Sequence, residues 1–144
     1  MTQQVFFNAD KKRNVQSDDI DMMAKAMSGD MAVTITPATV DRVAGTYAIS
    51  RVVTVALTDA LGNPHTWFNK TVTSACSVGD VSTAGTAAIA NTTLVFVNGV
   101  ATKTVTAASA AWAADDTNTL TVADLTVLGA TVTGGTSVET IVAA

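Results

Sequence analysis

Histidine and cysteine each occur once in this chain of 144 residues, at His65 and Cys76, and proline only twice. A lone cysteine excludes an intrachain disulfide, which fits assembly in a reducing cytoplasm. Its setting, Thr73-Ser74-Ala75-Cys76, reads as a small, half-buried apolar position. One histidine with one distant cysteine cannot assemble a zinc site or a Ser/His/Asp triad. His65 beside Pro64 reads instead as a turn residue. Neither glycine pattern of the phosphate-binding loops occurs, and no Gly-x-Ser-x-Gly elbow. Asp115, Asp116 and Asp124 carry oxygen ligands without EF-hand spacing, and read as solvated acidic turns. The expectation is a chain that is no enzyme and holds no cofactor or metal.

Charge is scarce as well. Charged residues make up 14% of the chain and hydrophobic ones 48%, where a soluble domain carries about a quarter charged. Part of such a surface is expected to meet a partner. A net charge of −4 leaves no basic stripe of the kind that displaces counterions from nucleic acid. No stretch of eighteen apolar residues suggests a membrane span, and no export signal is visible at the amino terminus.

Threonine, alanine and valine dominate what remains, in patterns of period two. Met31–Thr36 is predicted as a strand closed by Pro37, and Thr46–Thr58 as a long strand with Val53, Val55 and Leu57 on one face. His65–Thr73 is predicted as a third strand, which would make Trp67 a core residue. Thr92–Val97 and Val100–Thr106 flank Asn98-Gly99, the residue pair suited to a type I′ turn because both positions take positive φ. That register puts Leu94, Phe96 and Val105 on the core face. Leu120–Leu128 and Ser137–Val142 complete the set, with a turn at Gly134-Gly135. The stretches 74–90 and 107–118, rich in Ala, Ser, Thr and Gly, read as loops. Seven short strands at about ten-residue spacing predict a mainly β fold, an immunoglobulin-like β-sandwich over residues 31–144.

Residues 1–30 differ in composition. Six of the eight Lys and Arg residues precede position 52, and Met22, Met23, Met27 and Met31 crowd one stretch. Ser17 as N-cap, Asp18 and Asp19 in the first turn, and Ile20, Met23 and Met27 at helical spacing predict a short amphipathic helix over 18–28. A helix that short is marginal alone and needs a surface to pack on. Ahead of it, Val5-Phe6-Phe7 and Lys11-Lys12-Arg13 form an extended arm with an apolar tip and a basic stem. The candidate partner contacts are therefore Phe6, Phe7, Lys11, Lys12, Arg13, Ile20, Met23 and Met27. Trp112, in a presumed loop, packs either over its own sheet or on a partner.

The run Leu57-Thr58-Asp59-Ala60-Leu61-Gly62-Asn63-Pro64, with Phe96-Val97-Asn98-Gly99-Val100-Ala101-Thr102 and Thr104-Val105-Thr106-Ala107 after it, resembles bacterial immunoglobulin-like modules of the invasin and intimin type. The resemblance covers fifty to eighty residues. It implies the sandwich and is nearly silent on function, since such modules are grafted onto adhesins, surface layers and phage particles. A single acidic, Ala/Thr/Gly-rich module with a clasping arm looks like a tailed-bacteriophage head decoration (cement) protein. That likeness implies a structural virion protein assembled in the host cytoplasm, bound to the major capsid protein on the capsid exterior, commonly as a homotrimer. The alternatives are a tail-tube or head-fibre module and a bacterial surface adhesion module.

Overall fold

Alternation along two long strands builds the interior. In β3 (Gly45–Thr58) the residues Ile49, Val53, Val55 and Leu57 are buried while Ser50 and Val52 face solvent. In β8 (Val100–Trp112) Ala101, Val105 and Ala107 are buried opposite them. The computed structural model describes residues 31–81, 87–88 and 91–144. The predicted helix over 18–28, the arm, and the division between residues 30 and 31 lie outside the described residues.

The remaining strands are β1 (Ala32–Thr36), β2 (Thr39–Val43), β4 (Lys70–Val72), β5 (Cys76–Val81), β6 (Ala87–Ala88), β7 (Leu94–Phe96), β9 (Thr117–Val122), β10 (Leu125–Val127), β11 (Ala130–Val132) and β12 (Gly135–Val142). One four-stranded sheet runs β1-β3-β8-β6 and the other β2-β12-β9-β5, with β4-β7 and β10-β11 as two-stranded ribbons. All pairings are antiparallel except β2 with β12. Inward side chains of both sheets, among them Val53, Leu57, Val105, Leu120, Val122 and Ile141, join one apolar cluster. The protein is mainly β, with no helix among the described residues, an arrangement consistent with a β-sandwich.

Chain direction gives the body two distinct ends. Ala32 pairs with Thr58 and Val100 with Ala56, and β9 reaches Val122 opposite Gly135. Residue 31, the 59–69 connection, the 97–100 turn and the β10–β11 ribbon therefore share one end, called the upper end below. Val43, Gly45, Trp112 and residue 144 lie at the lower end, where Ala44 N–H donates to the Val142 carbonyl at 2.8 Å.

Several expectations are corrected. The strand expected over 65–73 shrinks to Lys70–Val72, because Pro64 bridges Thr58 and the backbone then turns. The presumed loop over 107–118 is largely strand: β8 runs on to Trp112. A register shift between Tyr47 and Ile49, opposite Ala110 and Ala107, inserts one extra residue into β8 and breaks its period of two. Trp112 then points inward at 3% exposure, and its indole N–H donates to the Tyr47 carbonyl at 3.0 Å. Trp67, expected in the core, stands in a turn at 43% exposure. The presumed loop over 74–90 contains β5 and β6, and the single strand expected over 120–128 divides into β9 and β10 at Ala123-Asp124.

The interior also holds charge. Arg51 lies on the inward phase of β3 and reaches across to the other sheet. Its Nη1 donates to Ser137 Oγ at 2.7 Å, and its Nη2 to the Asn118 carbonyl, Asn118 Oδ1 and the Ser137 carbonyl at 3.2, 3.1 and 3.1 Å. Nε faces Glu139 Oε1 at 3.5 Å as an ion pair. The other carboxylate oxygen, Oε2, accepts from Arg42 Nε. The Arg42 guanidinium sits 5.4 Å from the Tyr47 ring centroid and closes the site toward solvent. Ser137 Oγ in turn donates to the Pro37 carbonyl at 2.6 Å, tying in the crossover from β1 to β2. Burial pulls the Arg51 pKa down, and the Glu139 carboxylate opposes that pull.

Removing one member of a buried pair strands the other, at a cost of about 3–5 kcal/mol, whereas apolar replacement of both is often neutral. Glu139→Gln is expected to lower unfolding free energy by that order in urea titration. The double variant Arg51→Met/Glu139→Leu should recover most of the loss.

Candidate interaction site

The 59–69 connection is held by hydrogen bonds of its own backbone and of the Asp59 side chain. Asp59 Oδ1 accepts the N–H groups of Leu61 and Asn63, each at 2.9 Å, and Asp59 N–H donates to the Asn63 carbonyl at 2.9 Å. The Asn63 N–H above all, and then that of Leu61, hold the Asp59 carboxyl below the usual carboxylate range. Gly62 takes φ 87° in this turn. With the backbone so engaged, Leu61 projects at 86% exposure.

The second half of the connection is clamped against the 97–100 turn. Gly99 N–H donates to the Phe68 carbonyl at 2.8 Å, and Asn98 N–H to Asn69 Oδ1 at 2.8 Å. Asn98 and Gly99 have φ of 52° and 80°, the positive pair a type I′ turn requires. A Cβ on residue 99 would lie 2.5 Å from the His65 carbonyl oxygen, so only glycine allows this approach. Phe68 packs inward on Phe96, ring centroids 5.0 Å apart, and its neighbour Trp67 is thereby turned outward, 5.4 Å from the His65 ring.

Facing Trp67 is the tip of the β10–β11 ribbon. Leu125, Val127 and Val132 are buried, whereas Leu128 is 50% exposed. Leu128 and Gly129 take φ of 52° and 79°. That geometry suits Asn, Asp or Gly and is strained for a bulky residue. Lys70 Nζ donates to the Thr126 carbonyl at 3.4 Å and bridges the two elements. Between them lies a recess of 290 Å³ lined by Trp67, Phe68, Asn69, Lys70, Thr126, Val127 and Leu128. A second hollow, bounded by Asn91, Thr93, Val95, Thr102 and Lys103, is polar. Its lysine is engaged, since Nζ donates to Asn91 Oδ1 at 2.8 Å and to the Thr93 carbonyl at 2.5 Å.

Of the residues singled out in the sequence as partner contacts, Phe6, Phe7, Lys11, Lys12, Arg13, Ile20, Met23 and Met27 lie outside the described residues. Trp112 packs within its own chain. Asp116 Oδ2 accepts the Ala113 N–H at the lower end, and Asp124 Oδ1 the Gly134 N–H at the upper end, so these acids do not converge. Among the described residues no three His, Cys, Asp or Glu side chains cluster to hold a metal. Cys76 is buried, its Sγ donating to the Thr92 carbonyl at 3.4 Å, and burial pushes its thiol pKa up despite Lys103 nearby. Sequence reasoning missed the exposure of Leu61, Trp67 and Leu128 at the upper end. The available signal was leucine at turn positions, next to Gly62 and next to Gly129.

The chain matches no protein-family model and no curated protein.

Leu128→Asn relieves the backbone strain, and an increase in unfolding free energy of about 0.5–1 kcal/mol is expected in urea titration. Because the thiolate is the reactive form and burial disfavours it, Cys76 in the native protein at pH 8 should react with an aromatic disulfide at least about tenfold more slowly than in urea.

Proposed function

We propose that this chain is a structural virion protein that binds the outer surface of a phage capsid and stabilises the shell, with an immunoglobulin-like sandwich as its body. Strand order supports the body: β1-β3-β8-β6 follows the A-B-E-D order of immunoglobulin domains, and β12-β9-β5 follows G-F-C. In this reading β2 is a second part of the first strand, moved to the opposite sheet, and the β4-β7 and β10-β11 ribbons are additions at the upper end.

One observation carries the functional reading. Exposed Leu61, Trp67 and Leu128 lie at the end of the body where residue 31 joins it, while residue 144 lies at the other. The exposed leucines and tryptophan thus share one end with the point where residues 1–30 join the body. Such a module seated at the seams between capsomers buries apolar area shared by several subunits and opposes their separation. Repetition around a shell turns modest contacts into avidity. The partner is the major capsid protein, and trimers match local threefold positions.

Binding to undecorated heads, followed by co-sedimentation, tests this. The full chain should bind saturably, and deletion of residues 1–30 should weaken binding by about tenfold or more. Undiminished binding removes the segment's role; failure of the full chain to bind heads, or six-fold rings in light scattering, removes the decoration reading.

A further inference from the structure

We infer that the recess between Trp67 and Leu128 is the seat of the apolar segment Val5-Phe6-Phe7 of the same chain. The recess is a built feature. Its Trp67 wall is set by the Gly99 and Asn98 contacts to the 65–69 backbone, and its Leu128 wall by a ribbon tip with two successive positive φ values. A leucine held half exposed in a conformation that suits asparagine gains nothing from its own fold. It gains once an apolar side chain covers it.

The occupant follows from where the described chain starts. Met31 is buried and Ala32 pairs with Thr58, so residues 1–30 join the body at the end that carries the recess. Those residues include Phe6 and Phe7, half of the chain's phenylalanines. At 290 Å³ the recess is about twice the 150 Å³ cavity that accepts a benzene ring, which suits an aromatic tip. Charge agrees in sign. Lys11-Lys12-Arg13 follow the tip, and the acids at the upper end are Asp59 and Asp124, while the one lysine lining the recess, Lys70, is turned onto the Thr126 carbonyl.

The same chain is favoured over a second copy by tethering. The stretch from Phe7 to Met31 is about two dozen residues, and a tether of that length supplies an effective concentration on the order of millimolar. Two phenylalanine rings bind with about millimolar affinity. Docking within one molecule is therefore populated, whereas docking between molecules at micromolar concentration is not.

Acrylamide quenching of tryptophan fluorescence in the isolated full-length protein reads this directly, because Trp112 is buried and Trp67 carries the quenchable signal. The seat is a state of the free chain, and the tip leaves it where the same surface meets a capsid; quenching reads the free chain and the head-binding assay the bound one, so the two fail separately. In the native chain quenching should be about twofold weaker than in Phe6→Ser/Phe7→Ser, which detaches the tip, and than in Leu128→Asn, which keeps the fold and removes one wall. Circular dichroism checks that both variants retain their strands. Equal quenching in all three proteins overturns the inference. Protection that appears only as protein concentration rises, with dimers in sedimentation equilibrium, overturns the same-chain seat in favour of a second copy.

Discussion

Glu139 lies fully buried between Arg51 of the facing sheet and Arg42 of the strand beside it, and the register of the two sheets depends on that contact. Apolar side chains are tolerant of sliding because burial has no direction. A guanidinium is not: Arg51 spends its donors on Ser137 and Asn118 in one geometry and faces the Glu139 carboxylate in that same pose. A shift of one residue in β12 would turn Ser137 and Glu139 to solvent and leave Arg51 unanswered among Val53, Val55 and Val105. The Ser137 hydroxyl extends the constraint to Pro37, so the connection from β1 in one sheet to β2 in the other belongs to the same network.

With the two sheets held in register, the upper end becomes a platform. The 59–69 connection, the 97–100 turn and the β10–β11 ribbon brace one another through backbone hydrogen bonds and the Lys70 bridge. A surface braced in this way loses little conformational entropy when another surface covers it. Leu61, Trp67 and Leu128 are set on hydrogen-bonded turns, and at Leu128, with φ 52°, asparagine or glycine would have been easier to accommodate.

The sequence carried much of this in local chemistry. The Asn98-Gly99 turn, the inward phase of Val53, Val55 and Leu57, and the core positions Leu94, Phe96 and Val105 follow from turn preferences and period two, and the structure has all of them. Trp67 lies outside the core it was expected in, and Trp112, left open between its own sheet and a partner, packs in its own chain, each for a physical reason. A bulge in β8 resets the alternation and carries Trp112 inward, and bulges leave no periodic trace in an alanine-rich run. Trp67 is displaced outward because Phe68 takes the core position against Phe96. The buried ion pair was legible in principle: Arg51 and Glu139 are opposite charges, each on the inward phase of a strand. Which of the surface leucines gather at one end was not legible, because that depends on strand directions and not on spacing.

The crossing from β1 in one sheet to β2 in the other also determines how the body bears load. The chain enters at the upper end through β1, continues in β2 alongside parallel β12, and leaves at the lower end after Val142. Tension between residues 31 and 144 therefore pulls β2 and β12 lengthwise in opposite directions, and five paired positions from Thr39 with Val138 to Val43 with Val142 resist in shear together. A hairpin pulled from its open end yields one rung at a time; this pair must give way all at once.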